Sequence, residues 1–509
     1  MTMIFYRRRV HKMLLFLVFF FISIHSFSQV TYDKEAEYWT FEEFNTADDF
    51  LYTYTSVKSS YDKGELIIYD HSGTELNKIV LQSKRRPVIY NTTSCNGITY
   101  FELSTDEYLG LDKQGKEVFR KTLPVSADKV KTSRTLFTEA GVTVVQQVKV
   151  KKVGVGLRVI RYNNDFEQQW VYENIPEKGR YAVGDCTADA AGNVAVVYTK
   201  GDMSNSYEKG ICLLSNTGEE KAFAKLDLKK SNIDPFQFKY AADGSIAYTS
   251  YYGSTNSEAF KGIPLGFSFV SIDGSTGAVK SEEYVDFLEV QKAAGDKRTD
   301  GTPVYNQKAP ALHYLDKVSI DGKQYFLCES YTASERKYTK PATNSQSVAN
   351  ITYYTTLTLM DYYLLDASDL GATPLRVWKQ PRTIEMELGS YAGPLALLGR
   401  MKNNNLFSYK GMQDGKIVTV GYGQLHNYYT LIDPAQGKEN LSARTFWGEP
   451  INTLDLTILP QRKSYSLPSL QTIMPKYIAN EGVVKSGDSY LLYHYDYRSN
   501  MLQFSKLQF

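Results

Sequence analysis

The chain has 509 residues, with 58 Lys and Arg against 56 Asp and Glu, so its formal net charge is only +2. A balance this even argues against a nucleic-acid partner, which calls for a basic patch and a high pI. Forty tyrosines and an aromatic content of 14% favour pleated, half-buried strands.

The first element in chain order has the layout of a secretory signal peptide. Arg7, Arg8, Arg9 and Lys12 form a basic start and Met13 to Ile24 an apolar stretch. Ser26 and Ser28 then offer small residues for a cut before Gln29. The apolar stretch is shorter than the roughly 20 residues a bilayer span needs. No Cys follows it, so a lipoprotein anchor is not expected. Removing residues 1–28 leaves 54 basic and 56 acidic residues, a net charge of −2. The expected location is the periplasm or the extracellular side of a bacterial envelope.

From about residue 60 onward a phrase recurs. A polar turn ending in Gly precedes a run rich in Val, Tyr and Ile, as at Asp189–Gly192 before VAVVYTK, Asp243-Gly244, Asp321-Gly322 and Asp414-Gly415. A second turn follows a further apolar run, at Asp70–Gly73, Asp112–Gly115, Asn163–Asp165, Asn216–Gly218, Asp273–Gly277, Asp366–Gly371 and Asp433–Gly437. Asp and Asn cap such turns with their side chains, and Gly supplies positive φ. Each unit therefore reads as a four-stranded antiparallel meander. Paired strand signals joined by turns, with no helical period, place the chain in the all-β class.

Repeated in this way the pattern resembles a β-propeller, whose four-stranded blades surround a central channel. The turn style is similar to that of propellers in exported bacterial proteins. There is no W-D dipeptide set and no double-glycine kelch pattern. The resemblance implies one domain over residues 29–509, of eight blades, or seven if the Asn163–Asp165 turn is discounted. The last unit runs from YIANEGVVKS to MLQFSKLQF and is one strand short. A strand near Val30–Trp39 would complete it, closing the ring and removing an open edge. The rival architecture is an outer-membrane β-barrel, but segments such as TELNKIVLQS lack a continuous lipid-facing side.

Propellers carry their second-to-third and fourth-to-first connections on one face. Here those connections lengthen late in the chain: Tyr252–Ile263, Phe287–Ala311, Tyr331–Ala349, Lys379–Met401 and Trp447–Met474. Long connections of this kind are often functional. They supply the candidate binding residues Tyr252, Arg298, Asp300, Tyr331, Arg336, Tyr338, Arg382, Tyr391 and Arg400. Tyr and Arg dominate binding hot spots. Taken singly, each also fits an ordinary solvated loop position.

Catalytic signatures are sparse. His71, His313, His426 and His494 are widely separated, and His71 lies in a turn where local hydrogen bonds would account for it. No H-x-x-x-H or C-x-x-C spacing occurs, so no metal or cofactor is expected. Adjacent carboxylates such as Glu42-Glu43 and Glu282-Glu283 would point to opposite faces of a strand, and they read better as solubilising turn and edge residues than as a glycosidase pair. The four cysteines, Cys95, Cys186, Cys212 and Cys328, fit no metal or redox motif, and a Cys186–Cys212 disulfide stays open. The expected function is non-catalytic recognition of a protein or glycan at the cell envelope by a monomer with no stable membrane insertion. The alternative is a secreted hydrolase of polysaccharide or peptide.

Overall fold

A computed structural model describes residues 28–31, 38–41, 44–57, 62–82, 89–103, 107–123, 129–151, 153–177, 179–201, 207–253, 264–294, 311–340, 350–387, 407–422, 427–434, 438–441, 481–496 and 501–506. Their strands form seven sheets, which divide into eight antiparallel quartets in chain order when the eight-stranded sheet is taken as two and two short strands at the start of the first quartet are counted together as one. β1 (Ser28–Thr31) belongs to the last quartet. The first quartet is β2 (Tyr38–Phe41) with β3 (Asn45–Thr46), both pairing β4 (Leu51–Val57), then β5 (Lys63–Tyr69) and β6 (Glu75–Gln82). The second is β7 (Ile89–Cys95), β8 (Ile98–Leu103), β9 (Glu107–Leu111) and β10 (Glu117–Thr122). The third is β11 (Lys129–Thr138), β12 (Gly141–Val150), β13 (Gly154–Tyr162) and β14 (Gln168–Asn174). The fourth is β15 (Arg180–Ala188), β16 (Val194–Gly201), β17 (Tyr207–Leu214) and β18 (Glu220–Lys225). One parallel bridge, Val155 to Arg180, joins these two.

The fifth quartet is β19 (Ser231–Tyr240), β20 (Ile246–Gly253), β21 (Gly266–Ile272) and β22 (Val279–Asp286), followed by the short helix α1 (Phe287–Ala293). The sixth is β23 (Ala311–Ile320), β24 (Lys323–Lys340), β25 (Asn350–Asp366) and β26 (Leu375–Glu387). The seventh is β27 (Tyr409–Gln413), β28 (Lys416–Tyr422), β29 (Asn427–Asp433) and β30 (Lys438–Leu441). The eighth is β31 (Glu481–Ser486), β32 (Ser489–Asp496), β33 (Met501–Lys506) and β1. The strand expected over Val30–Trp39 is thus divided. β1 pairs β33, with Ser28 opposite Phe504, whereas Tyr38 already pairs β4. Apart from the one bridge from Val155 to Arg180 the quartets are separate sheets, and among the described residues none closes on itself. No described helix is long and apolar enough to cross a membrane.

The chain divides into two compact bodies. The larger holds most of the second quartet and all of the third to seventh. In it each quartet stacks its face on the next. Val194, Val196 and Tyr198 of β16 bury against Val145, Leu157 and Val159 of the third quartet, while Ala195 and Val197 turn the other way onto Phe238, Ile246 and Tyr248 of the fifth. Burial on both faces explains why VAVVY is continuously apolar rather than alternating. The second quartet meets the third, and the sixth meets the seventh, in the same manner. β15 lies between β11 and β19, so first strands neighbour first strands.

The smaller body joins the first and eighth quartets by the same contacts. Phe44, Leu51, Ile67 and Tyr69 share one core with Val484, Leu491, Tyr493 and Phe504, and β3 lies beside β31. Phe44 packs 4.6 Å from Tyr493 and 5.0 Å from Phe504 between ring centroids. His71 is explained by this junction rather than by its own turn. Its Nδ1 shares a 3.2 Å hydrogen bond with Ser486 Oγ, which donates to the His71 carbonyl at 2.8 Å.

The turns follow the sequence pattern closely. Oδ1 of Asp70 accepts from the backbone N–H groups of Ser72 and Thr74, and Asp112 does the same for Gln114 and Lys116. Asn163 repeats the arrangement with Asp165 and Glu167, and Ser215, one residue earlier than expected, repeats it with Thr217 and Glu219. Asp321-Gly322 and Asp414-Gly415 are two-residue hairpin turns in which both residues have positive φ, the geometry that matches strand twist.

Cys186 and Cys212 are free. Cys186 pairs Val196, which in turn pairs Cys212, so β16 separates them. Two strand spacings come to about 10 Å, beyond the roughly 7 Å Cα separation a disulfide tolerates. Burial pushes both thiols up to about 12.

Candidate functional site

The second-to-third and fourth-to-first connections of the fifth and sixth quartets leave the same end of each sheet, and the larger body carries its most elaborated structure there. β23 begins at Ala311, opposite Tyr331 of β24. β24 runs on to Lys340 and returns as β25 from Asn350, with Thr332 opposite Thr358 and Lys340 opposite Asn350. β26 pairs this outer part of β25 from Leu359–Arg382 to Tyr354–Glu387. A three-stranded extension therefore continues beyond the end of the first strand.

Most of what the sequence presented as the Tyr331–Ala349 loop is strand, and Lys379–Met401 is strand as far as Glu387. The Ser, Glu, Arg and Lys content of TASERKYTK reads as loop in isolation. Its partner TYYTTLTL has the β-branched and aromatic residues that make the pairing. Phe287–Ala311 likewise opens with α1, capped by Asp286, whose Oδ1 accepts from Leu288 N at 2.9 Å.

The nine sequence-predicted binding residues separate into three sets. Arg298, Asp300, Tyr391 and Arg400 lie outside the described residues. Arg336 and Tyr338 sit in the extension opposite Tyr354 and Thr352, and Arg382 stands opposite Leu359. Tyr252 and Tyr331 are strand residues, 2% and 5% exposed, rather than loop anchors.

Tyr331 borders a buried polar seam with the seventh quartet. Its ring meets Phe407 edge-on, and Phe407 stacks on His313 at 3.9 Å. His313 Nδ1 shares a 2.7 Å hydrogen bond with Tyr251 Oη. Glu329, fully buried, accepts from Ser408 N at 3.1 Å and Ser408 Oγ at 2.5 Å. Tyr362 bridges Ser408 and Thr419. Charge-assisted bonds of this kind satisfy a buried carboxylate and fix the register of neighbouring sheets. The seam buries both a carboxylate, Glu329, and a histidine, His313, from solvent.

Tyr252 belongs to a second cluster, at the solvent side of the fifth quartet. Lys230, exposed and just before β19, places Nζ 3.9 Å from the Tyr252 ring centroid and 4.5 Å from that of Tyr284. The rings meet at 84° with centroids 5.3 Å apart. Tyr252 Oη donates to Asp286 Oδ2 at 3.1 Å, and Tyr284 Oη donates to Glu282 Oε1. Burial first, and the adjoining carboxylate second, pushes each phenol above its ordinary pKa. Glu282, read from sequence as a solubilising residue, is here a hydrogen-bond acceptor for Tyr284, and neither Lys230 nor Tyr284 stands out by itself in the sequence. The signal was present in the period-two row Glu282, Tyr284, Asp286, which puts three polar groups on one face of β22. No cluster of three or more potential metal-ligating residues occurs among the described residues.

No family model matches the chain, and no curated protein matches it. Among solved structures it is similar to BamB from Moraxella catarrhalis, at 10% identity, covering 94% of this chain and 97% of that one, with a TM-score of 0.34. It is also similar to the WD40 domain of SCAP from fission yeast, at 8% identity, 94% and 97% coverage and a TM-score of 0.37. For a europium-containing methanol dehydrogenase the figures are 11%, 79% of both chains, and 0.38. Likeness at this level assigns no family.

Proposed function

We propose that the chain is an exported, eight-bladed β-propeller that works as a non-catalytic scaffold. In this reading it binds a protein at the bacterial envelope through the end of the sheets where the long connections lie. Export rests on the signal-like start of the sequence. The ring is supported by the recurrence between the eighth and first quartets of the face-to-face stacking and first-strand adjacency seen along the larger body. Each quartet is then one blade, and β1 completes the last.

The observation that carries the binding role is the β24–β25–β26 extension. Beyond Tyr331, residues 332–340 of β24 have no partner among the described residues on the side away from β25, and in this reading that edge is offered to another chain. A polypeptide can add to such an edge as a further strand. Soluble proteins normally blunt or cover edges of this length.

The test replaces residues 333–357 with Asn-Gly, which joins Thr332 to Thr358 in their existing register. The shortened protein should keep its melting temperature. A photo-crosslinker at Lys337 of the full-length protein should capture a discrete envelope protein, and that protein should no longer co-purify with the shortened form. Co-purification unchanged by the deletion would overturn the reading.

A further inference from the structure

We propose that Tyr252 and Tyr284 form a recognition site for ammonium groups, occupied in the free protein by the chain's own Lys230 and yielded to a quaternary or methylated ammonium ligand. The site does not depend on whether the β24–β26 extension binds a protein.

Four observations converge on it. Two aromatic faces meet nearly at right angles, so a cation in the angle faces both rings at once. A cation is already there, 3.9 and 4.5 Å from the two centroids, well inside the roughly 6 Å range of cation–π attraction. Each phenol donates a hydrogen bond to a carboxylate, Asp286 or Glu282, which raises the electron density of the ring and adds negative potential around the angle. The architecture is fixed independently of the cation. Asp286 is held as the cap of α1, Glu282 accepts from Lys229 N, and Tyr284 Oη accepts from Lys230 N at 3.0 Å.

Lys230 is suited to being displaced. No ion pair of its Nζ is found among the described residues, so the rings hold the ammonium. Its backbone would stay on Tyr284 while its four-carbon stem swings into solvent. A primary ammonium is strongly hydrated and enters an aromatic angle at a cost. A methylated ammonium sheds little water and makes more dispersion contact with the same rings. That difference gives an external ligand its advantage over the resident lysine.

The probe is tetramethylammonium, titrated into the full-length protein and followed by the upfield shift of its methyl proton resonance, with sodium chloride as the ionic-strength control. Lys230→Ala should bind at least tenfold more tightly than the wild type, because the internal competitor is gone. Adding Tyr284→Leu to Lys230→Ala should abolish the shift, whereas Tyr284→Phe should retain it. Lys230→Gln serves the same comparison if Lys230→Ala does not fold. If removing Lys230 leaves affinity unchanged, if Tyr284→Leu has no effect, or if sodium competes equally, the cluster is a structural clasp between β19 and β22 and the proposal falls.

Discussion

The two kinds of turn at one end of the quartets are built from similar residues and carry different loads. Turns joining the first and second strands stand clear. A Cβ on Gly244, Gly322, Gly415 or Gly487 would meet nothing within 4 Å. Gly192 differs, lying close to Arg161 and Ala140. Four of the turns joining the third and fourth strands press on the quartet before them, whereas a Cβ on Gly371 of the sixth would meet only Asp369 of its own turn. A Cβ on Gly73 would reach Phe504 at 2.6 Å, on Gly115 Ile68 at 2.6 Å, on Gly218 Trp170 at 2.7 Å, and on Gly277 Ile211 at 3.0 Å. Glycine is needed at the first set for φ alone. At the second it is needed for φ and because a hydrophobic side chain of the preceding sheet occupies the space. The Asp-x-x-Gly phrase is therefore both a turn signal and an inter-sheet contact. The Gly73–Phe504 contact extends it from the first quartet to the last.

The largest expected effect comes from filling that space. Gly73→Ala, Gly115→Ala and Gly218→Ala should each cost about 2–4 kcal/mol, combining an αL penalty of about 1 kcal/mol with overpacking. Gly322→Ala and Gly415→Ala should cost only about 1 kcal/mol. Denaturant unfolding of the five variants checks the difference. Equal costs in the two groups would show that the third turns do not carry the sheet-to-sheet contact.

Phe166 sharpens the comparison because it breaks the rule. It stands where Gly73 and Gly115 stand in their turns, three residues after Asn163, and takes φ +62 without being glycine. Its ring is the reason, packing 5.5 Å from Tyr108 and 5.2 Å from Phe119 of the second quartet. Here the turn supplies the side chain and the neighbour supplies the space. Phe166→Ala keeps the unfavourable φ and loses the ring, so it should cost about 2 kcal/mol for this half-buried position. Phe166→Gly recovers about 1 kcal/mol of that through φ. If thermal unfolding ranks the glycine variant below the alanine one, the strain argument is wrong.

How far the sequence could be read follows from the same distinction. Local devices were legible: the Asp and Asn caps, the positive-φ glycines and the apolar runs between them. The Asn163–Asp165 turn looked weakest because it has no glycine, and only the packing of Phe166 on the second quartet explains its geometry. Long-range pairs were not legible. Nothing near His71 in sequence points to Ser486, and nothing in TASERKYTK announces a strand until TYYTTLTL lies beside it. The candidate site suffered most. In sequence Tyr252 reads as a loop aromatic, yet its neighbours Lys230, Tyr284 and Asp286 come from strand ends that only the sheet brings together.

The smallest effect concerns the caps themselves. Asp273 heads the turn of the fifth quartet, accepting from Ser275 Oγ and from the backbone N–H groups of Ser275 and Thr276. These bonds, the Ser275 hydroxyl first, hold its carboxyl well below the usual range. A carboxyl whose folded pKa is depressed contributes stability that is fully present above its unfolded pKa, near 4, and lost as pH falls toward the folded value. The stability gap between the wild type and Asp273→Asn should therefore be constant from about pH 7 to 5 and shrink below about pH 4. Asp273→Ala, which removes the acceptor as well as the charge, should keep a residual gap in acid. Unfolding midpoints across that range decide it. A gap to Asp273→Asn that stays flat to pH 2 would mean the turn is capped by hydrogen-bond geometry alone and the charge is idle.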